Sequence, residues 1–249
     1  MIPKIIHYCW FGRGKIPDSA LKCIDSWEKY LPDYVLKKWS EDNFDINSNH
    51  YVKQAYENKK YAFVTDYVRL YAIYIEGGVY MDTDVEVLKS FDDFLIHSAF
   101  SGFENNNYVP TGIMASEKGS QWAKELLADY SNRTFVREDG SLDMTTNTKT
   151  ITDYMLTKGL ILNNRYQEIE KLVVIYPHDY FCPKDHRTGV IRLTERSVCI
   201  HHFAMSWCDP KSIRMSNIKK LLMRVIGVNA VDGIIELLNL RQSKGKSLK

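Results

Sequence analysis

The order of apolar and polar positions along the chain switches repeatedly between a strand period and a helix period. Lys4–Gly12 (KIIHYCWFG) is an apolar run closed by glycine and predicts a buried first strand. Asp18–Leu31 (DSALKCIDSWEKYL) places Leu21, Ile24 and Trp27 at helical spacing, with Asp18 or Ser19 as the cap and Pro32 as the stop. Tyr34–Trp39 (YVLKKW) predicts a second strand, which makes the opening β-α-β. A short helix is expected over 51–60 and a strong one over 61–78, where Phe63, Tyr67, Leu70, Tyr71 and Tyr74 recur on one stripe and Gly77-Gly78 ends it. Val79–Val87 (VYMDTDVEV) then reads as a strand, as does 99–104. Helices are expected over 120–130 and 148–159, and late strands and loops over 171–183 and 197–207. Two amphipathic segments, 217–227 and 231–240, complete the pattern. Strands alternating with helices predict a mostly parallel α/β sheet with a helical tail.

Composition narrows this picture. The 249 residues suffice for one large domain, and 45% hydrophobic with 26% charged residues is ordinary globular usage. The net charge of +2 hides an asymmetry, because from Asp209 onward nine Lys/Arg face three acids. A basic tail on a slightly acidic body is not the pattern of a nucleic-acid binder. Five cysteines without framework spacing read as reduced thiols of an intracellular protein. The first residues are too short and too polar an apolar run for a signal peptide, and no 18-residue apolar stretch predicts a membrane span.

The candidate chemistry centres on Glu76–Val87 (EGGVYMDTDVEV). On a strand, Asp82 and Asp84 share one face about 6–7 Å apart. Like charges held together cost free energy unless a cation or hydrogen bonds answer them, so the pair is either a solvated edge or a divalent-metal site. One helix earlier, Asp66 and Arg69 project from one face, as a structural ion pair or as part of the same site. His201 and His202 point to opposite faces if extended, so one of them can complete a metal shell. A zinc site from Cys199, His201, His202 and Cys208 fits no standard spacing. Trp10 ends the first strand, at the rim where open α/β sheets bind ligands, and can stack on a base or belong to the core.

Taken in order, IPKIIHYCWFG, AFVTDYVRLYAIYIEGGVYMDTDVEV and IHHFAMSW resemble the glycosyltransferases with a DXD sugar-binding region. These include bacterial capsule and lipopolysaccharide enzymes, the yeast initiating mannosyltransferase and, more distantly, the glucosylating domain of clostridial toxins. The similarity covers roughly 1–208, leaving 209–249 as a basic helical tail. It implies a GT-A (Rossmann-like) fold and a retaining, metal-dependent transfer of a hexose or N-acetylhexosamine, with Mn²⁺ or Mg²⁺ as cofactor. The donor it implies is a nucleotide sugar, UDP-linked first and GDP-linked as the rival. By the same resemblance Trp10 stacks on uracil, with His7 in the same motif on the substrate side. Asp66 and Arg69 meet the donor sugar, Tyr80 lies near the nucleoside, Asp82 contacts ribose or sugar, and Asp84 binds the metal with His201 or His202 beside it. Ser206 and Trp207 match a Ser-Trp that closes over the diphosphate. Asn147 stands where relatives often carry a Thr-Gly-Pro sequence, a departure that leaves its contact with the sugar open.

The acceptor implied is a glycan, lipid-linked in surface polysaccharide synthesis, reached at the cytoplasmic face of the membrane. The tail fits that setting in one of two ways, since residues 212–249 are either a basic amphipathic contact with anionic lipid or helices docked on the body. Two other functional classes remain open at this level. One is a metal-dependent nucleotidyl- or phosphosugar transferase, and the other a nucleotide-sugar binder without turnover.

Overall fold

The computed structural model describes residues 1–109, 112–205 and 210–246, the side chains of 210 and 238–246 excepted. The chain divides into two compact units, one of Met1–Pro183 with Arg192–His202 and one of Lys184–Ile191 with Phe203–Lys249.

The first unit begins as expected, with β1 (Ile5–Cys9), α1 (Asp18–Tyr30) and β2 (Val35–Trp39). Pro17 rather than Asp18 or Ser19 occupies the cap of α1, and no side chain caps that end. Next come α2 (His50–Glu57), α3 (Tyr61–Ile75), β3 (Gly78–Met81) and β4 (Val85–Val87). They are followed by β5 (Ala99–Gly102), β6 (Ile113–Ser116), α4 (Gln121–Ala128) and α5 (Asn147–Thr157). β7 (Gln167–Ile169), β8 (Val173–Tyr176), the short α6 (His178–Phe181) and β9 (Cys199–His201) close the unit.

Seven strands form one sheet in the order β2-β1-β3-β6-β5-β8-β7. β2, β1, β3, β5 and β8 run one way, while β6 and β7 run against their neighbours. Alternation along β3 sends Val79 and Met81 into the core cluster on one face, with Ile6 and Trp27, and Tyr80 into the cluster on the other, with α3 and α5. This is the Rossmann-like α/β sheet with DXD at a strand end that the GT-A expectation describes, and a helical C-terminal tail follows it.

The run 79–87 is not one strand. It breaks at Asp82–Asp84 into a turn closed by Val85 N–H donating to Asp82 O at 3.0 Å. Beyond the turn β4 leaves the large sheet and pairs antiparallel with β9 in a separate two-stranded sheet. α1 holds β4 there, because the buried Trp27 indole N–H donates to Val85 O at 2.7 Å and Ser26 Oγ accepts from Val87 N–H at 2.9 Å.

The hinge between α3 and β3 needs both glycines. Gly77 and Gly78 adopt φ of 72° and 112°. A Cβ on Gly78 would also lie 2.7 Å from Ile5 O and 3.1 Å from His7 Nε2. His7, fully buried, fastens this hinge. Its Nδ1 accepts from the Trp39 indole at 3.1 Å, which assigns the proton to Nε2, and Nε2–H donates to Gly77 O at 2.7 Å. Burial pushes the His7 pKa down, in keeping with a neutral ring. The structure therefore places His7 inside the fold, with both ring nitrogens engaged by the protein.

The second unit carries α7 (Pro210–Ile226) and α8 (Val228–Lys246). Within it, Arg187 pairs with Asp232 at 2.5 Å. Among the described residues no helix is long and apolar enough to cross a membrane. The four described cysteines are buried and free of disulfides.

Gly78→Ala is expected to destabilise the fold by about 1–3 kcal/mol, the usual cost of overpacking a rigid backbone contact. Urea unfolding checks this, and a midpoint equal to wild type would show that the hinge tolerates a side chain.

Candidate active site

Helix α3 is buried almost all round, and two charged residues lie within that buried surface. Arg69 Nη2 stands 3.2 Å from Asp66 Oδ1 and 3.3 Å from Asp82 Oδ1, so one guanidinium joins the helix to the turn after β3. Tyr80 completes the clamp. Its hydroxyl donates to Asp82 Oδ1 at 2.7 Å, and the Arg69 guanidinium lies over its ring, 4.7 Å from the centroid. Both contacts fall on Oδ1, which leaves Oδ2 as the oxygen turned toward His201, 3.9 Å away.

The turn brings Asp84 to the same place. Its Oδ1 lies 3.3 Å from His201 Nε2. The β4–β9 register sets this meeting, since Val85 pairs with His201 across the ladder. Asp82, Asp84 and His201 each offer one donor atom within 4.8 Å of the others, and all three are partly exposed. Two carboxylates and an imidazole form an oxygen-rich set that suits Mn²⁺ or Mg²⁺ better than a thiophilic ion. The residues fit the cation that the sequence implied.

His202 faces the other way, its Nε2 bonded to Glu86 Oε2 at 2.8 Å. The alternation expected of an extended pair thus separates the two histidines, and His201 alone of them joins the acids. Asn147 sits at the start of α5, almost wholly buried, where its Nδ2 donates to the Asp66 backbone carbonyl at 3.2 Å. Its Oδ1 is a buried acceptor without a partner. Trp10 is half-buried where β1 ends, its indole N–H donating to Gly14 O at 2.7 Å. β1 and β3 are parallel neighbours, so Trp10 and Asp82 leave the sheet at the same rim. Ser206 and Trp207 lie outside the described residues.

The electrostatics follow from burial and crowding. Burial raises the Asp66 pKa to about 6, with Arg69 opposing and Asp82 adding to the shift. Burial works against the Arg69 charge, but Asp82, Tyr80 and Asp66 outweigh it and push its pKa up. Burial also lowers His201, yet Asp84 more than compensates and the net shift is well upward. A cation at this site therefore competes with a proton held between His201 and Asp84.

Two contributors have no role assigned from the sequence. The buried Cys182 thiol lies in the field of the His201 ring, and the buried Cys9 thiol in that of Arg69 and Asp82. Cys182 sits in no motif, Cys9 lies within IPKIIHYCWFG without a role implied there, and only the tertiary fold brings both here.

With this geometry in view, residues 17–101 match the family described as glycosyltransferase sugar-binding region containing DXD motif. Among individual proteins, it is 25% identical over 138 residues to inositol phosphoceramide mannosyltransferase 3 of Schizosaccharomyces pombe, which covers 54% of this chain and 38% of that one. It is 28% identical over 157 residues to uncharacterized glycosyltransferase L373 of Acanthamoeba polyphaga mimivirus, covering 60% and 62%. The chain thus spans less than two thirds of the length of these relatives. A solved glycosyltransferase involved in glycosylation of the major capsid of PBCV-1 aligns with TM-score 0.49 and 12% identity over 86% of this chain and 99% of that one.

Asp66 yields a pH prediction. Its folded pKa of about 6 lies above the ordinary aspartate value of 3.8, so between those values the folded state keeps a proton that the unfolded chain has lost. Its contribution therefore falls as pH rises through that window, by about 3 kcal/mol in all, and is level above it. Thermal unfolding of chelator-treated wild type and Asp66→Asn from pH 3.5 to 7 isolates the effect. The stability gap between them should shift in favour of Asp66→Asn as pH rises, and a gap independent of pH would rule out the shift.

Proposed function

We propose that the protein is a metal-dependent retaining glycosyltransferase that moves a hexosyl or N-acetylhexosaminyl group from a nucleotide sugar, UDP-linked first, to a glycan hydroxyl. The observation that carries this reading is the convergence of Asp82, Asp84 and His201 beside the buried Asp66–Arg69 pair. Such a site answers the main demand of the reaction, since cleaving the bond from the anomeric carbon to phosphate leaves charge on a nucleoside diphosphate. A divalent cation bound there supplies a Lewis acid for that charge.

The chain's own residues do the positioning. Arg69 and Tyr80 fix Asp82 through one oxygen and keep the other turned to the site. Asp66, whose backbone carbonyl accepts from Asn147, is the residue assigned in this reading to the donor sugar hydroxyls. Trp10 offers an indole face at the rim for the base. As the anomeric carbon takes on oxocarbenium character, the acceptor hydroxyl attacks from the leaving-group side. Its proton passes to the departing phosphate oxygen, so no protein nucleophile is required.

The acceptor we propose is a membrane-borne glycan or lipid headgroup, such as a lipid-linked precursor of surface polysaccharide. Two features support it. A relative's name specifies mannose transfer to inositol phosphoceramide. In addition, α7 exposes Met215, Ile218, Leu221, Leu222, Val225 and Ile226 beside Lys211, Arg214 and Lys219. That composition suits an anionic bilayer surface.

Incubation with Mn²⁺ and a panel of UDP-, GDP- and dTDP-sugars tests the activity. Slow release of nucleoside diphosphate and free sugar is expected from one donor class, abolished by EDTA and reduced at least ~100-fold in Asp84→Asn. Release of nucleoside monophosphate or pyrophosphate, or turnover indifferent to chelation, would overturn the assignment. Flotation with liposomes tests the surface. Wild type should bind vesicles containing anionic lipid, and the doubly substituted Leu221→Glu, Val225→Glu protein should not, while donor hydrolysis persists in both. Equal flotation of the two proteins would remove α7 from the contact.

A further inference from the structure

Gly112 touches both arms of the Asp82–Asp84–His201 cluster. Its carbonyl accepts the Asp82 backbone N–H at 2.9 Å, which extends the β3–β6 pairing to the first residue of the turn. On its other side it meets the His201 ring. A Cβ built on Gly112 would lie 2.9 Å from His201 Nδ1, 3.0 Å from Cε1 and 3.3 Å from Cγ. Gly112 is not among the glycines with positive φ, so an L-residue suits its backbone, and the three atoms nearest to an added Cβ all belong to the imidazole.

The ring has little freedom to yield. The β4–β9 ladder fixes the His201 backbone opposite Val85, and the buried Cys182 thiol lies close enough to the ring to act on its charge. Displacement by a methyl group would move Nε2 relative to Asp84 Oδ1, now 3.3 Å away.

We infer that Gly112 is a positioning residue for divalent-cation binding, its missing side chain being the space that lets His201 reach the two aspartates. This inference rests on the metal-site reading given above, and its test separates the two. Mn²⁺ binding to the full chain is measured from the free-ion EPR signal, and unfolding of the chelator-treated protein is measured in urea. Both are run on wild type, Gly112→Ala, His201→Ala and the double variant.

Gly112→Ala should weaken Mn²⁺ binding about 10- to 100-fold, the range for loss of a partner that orients a metal ligand. It should also lower the urea midpoint of wild type but leave that of His201→Ala nearly unchanged, because the truncated side chain vacates the contested space. A Mn²⁺ affinity within twofold of wild type, or an equal drop in midpoint in both backgrounds, would overturn the inference. Failure of wild type itself to bind Mn²⁺ would overturn it as well and would sink the metal reading with it. A loss of midpoint seen in wild type and absent from His201→Ala would then still establish the steric contact alone.

Discussion

One buried guanidinium organises this protein. Arg69 is taken out of water on a helix that is apolar almost all round, and its charge is answered by Asp66 on its own helix and Asp82 on the turn beyond β3. Removing one partner from such a pair leaves an uncompensated buried charge, which is far more costly than the pair is stabilising. The helix, the double-glycine hinge, the strand and the turn are therefore committed to a single arrangement. Two carboxylates share one guanidinium, and Asp84 adds a third beside His201. The local balance thus favours a second positive group, which is the electrostatic demand that a divalent cation meets.

The local elements of this arrangement were legible in the sequence because they follow from period. The i, i+3 spacing of Asp66 and Arg69 places them on one helical face, and alternation separates His201 from His202. What could not be read were features decided by partners distant in the chain. VYMDTDVEV keeps an unbroken strand-like pattern, yet the ladder available to β4 is β9 rather than the large sheet, so the chain turns at the aspartates. The antiparallel β6 and β7 are only four and three residues long, too short for a period to declare itself.

Residue roles show the same division. His7 shares a motif with Trp10 and invites a ligand-facing reading. Strand alternation instead buries it against the Gly77 hinge, where both ring nitrogens are engaged. Tyr80 was expected near a nucleoside, and its hydroxyl is bound to Asp82. Cys182 and Gly112 border the His201 ring without any sequence motif to announce them.

The donor atoms at this site come from two separate sheets, one segment at the rim of the large sheet and the other on β9 near the end of the first unit. An ion gripping both would act as a removable staple across a very long loop of chain. Part of the cohesion between β4 and β9 would then vary with the ion's free concentration, tying the integrity of the fold to supply of the ion.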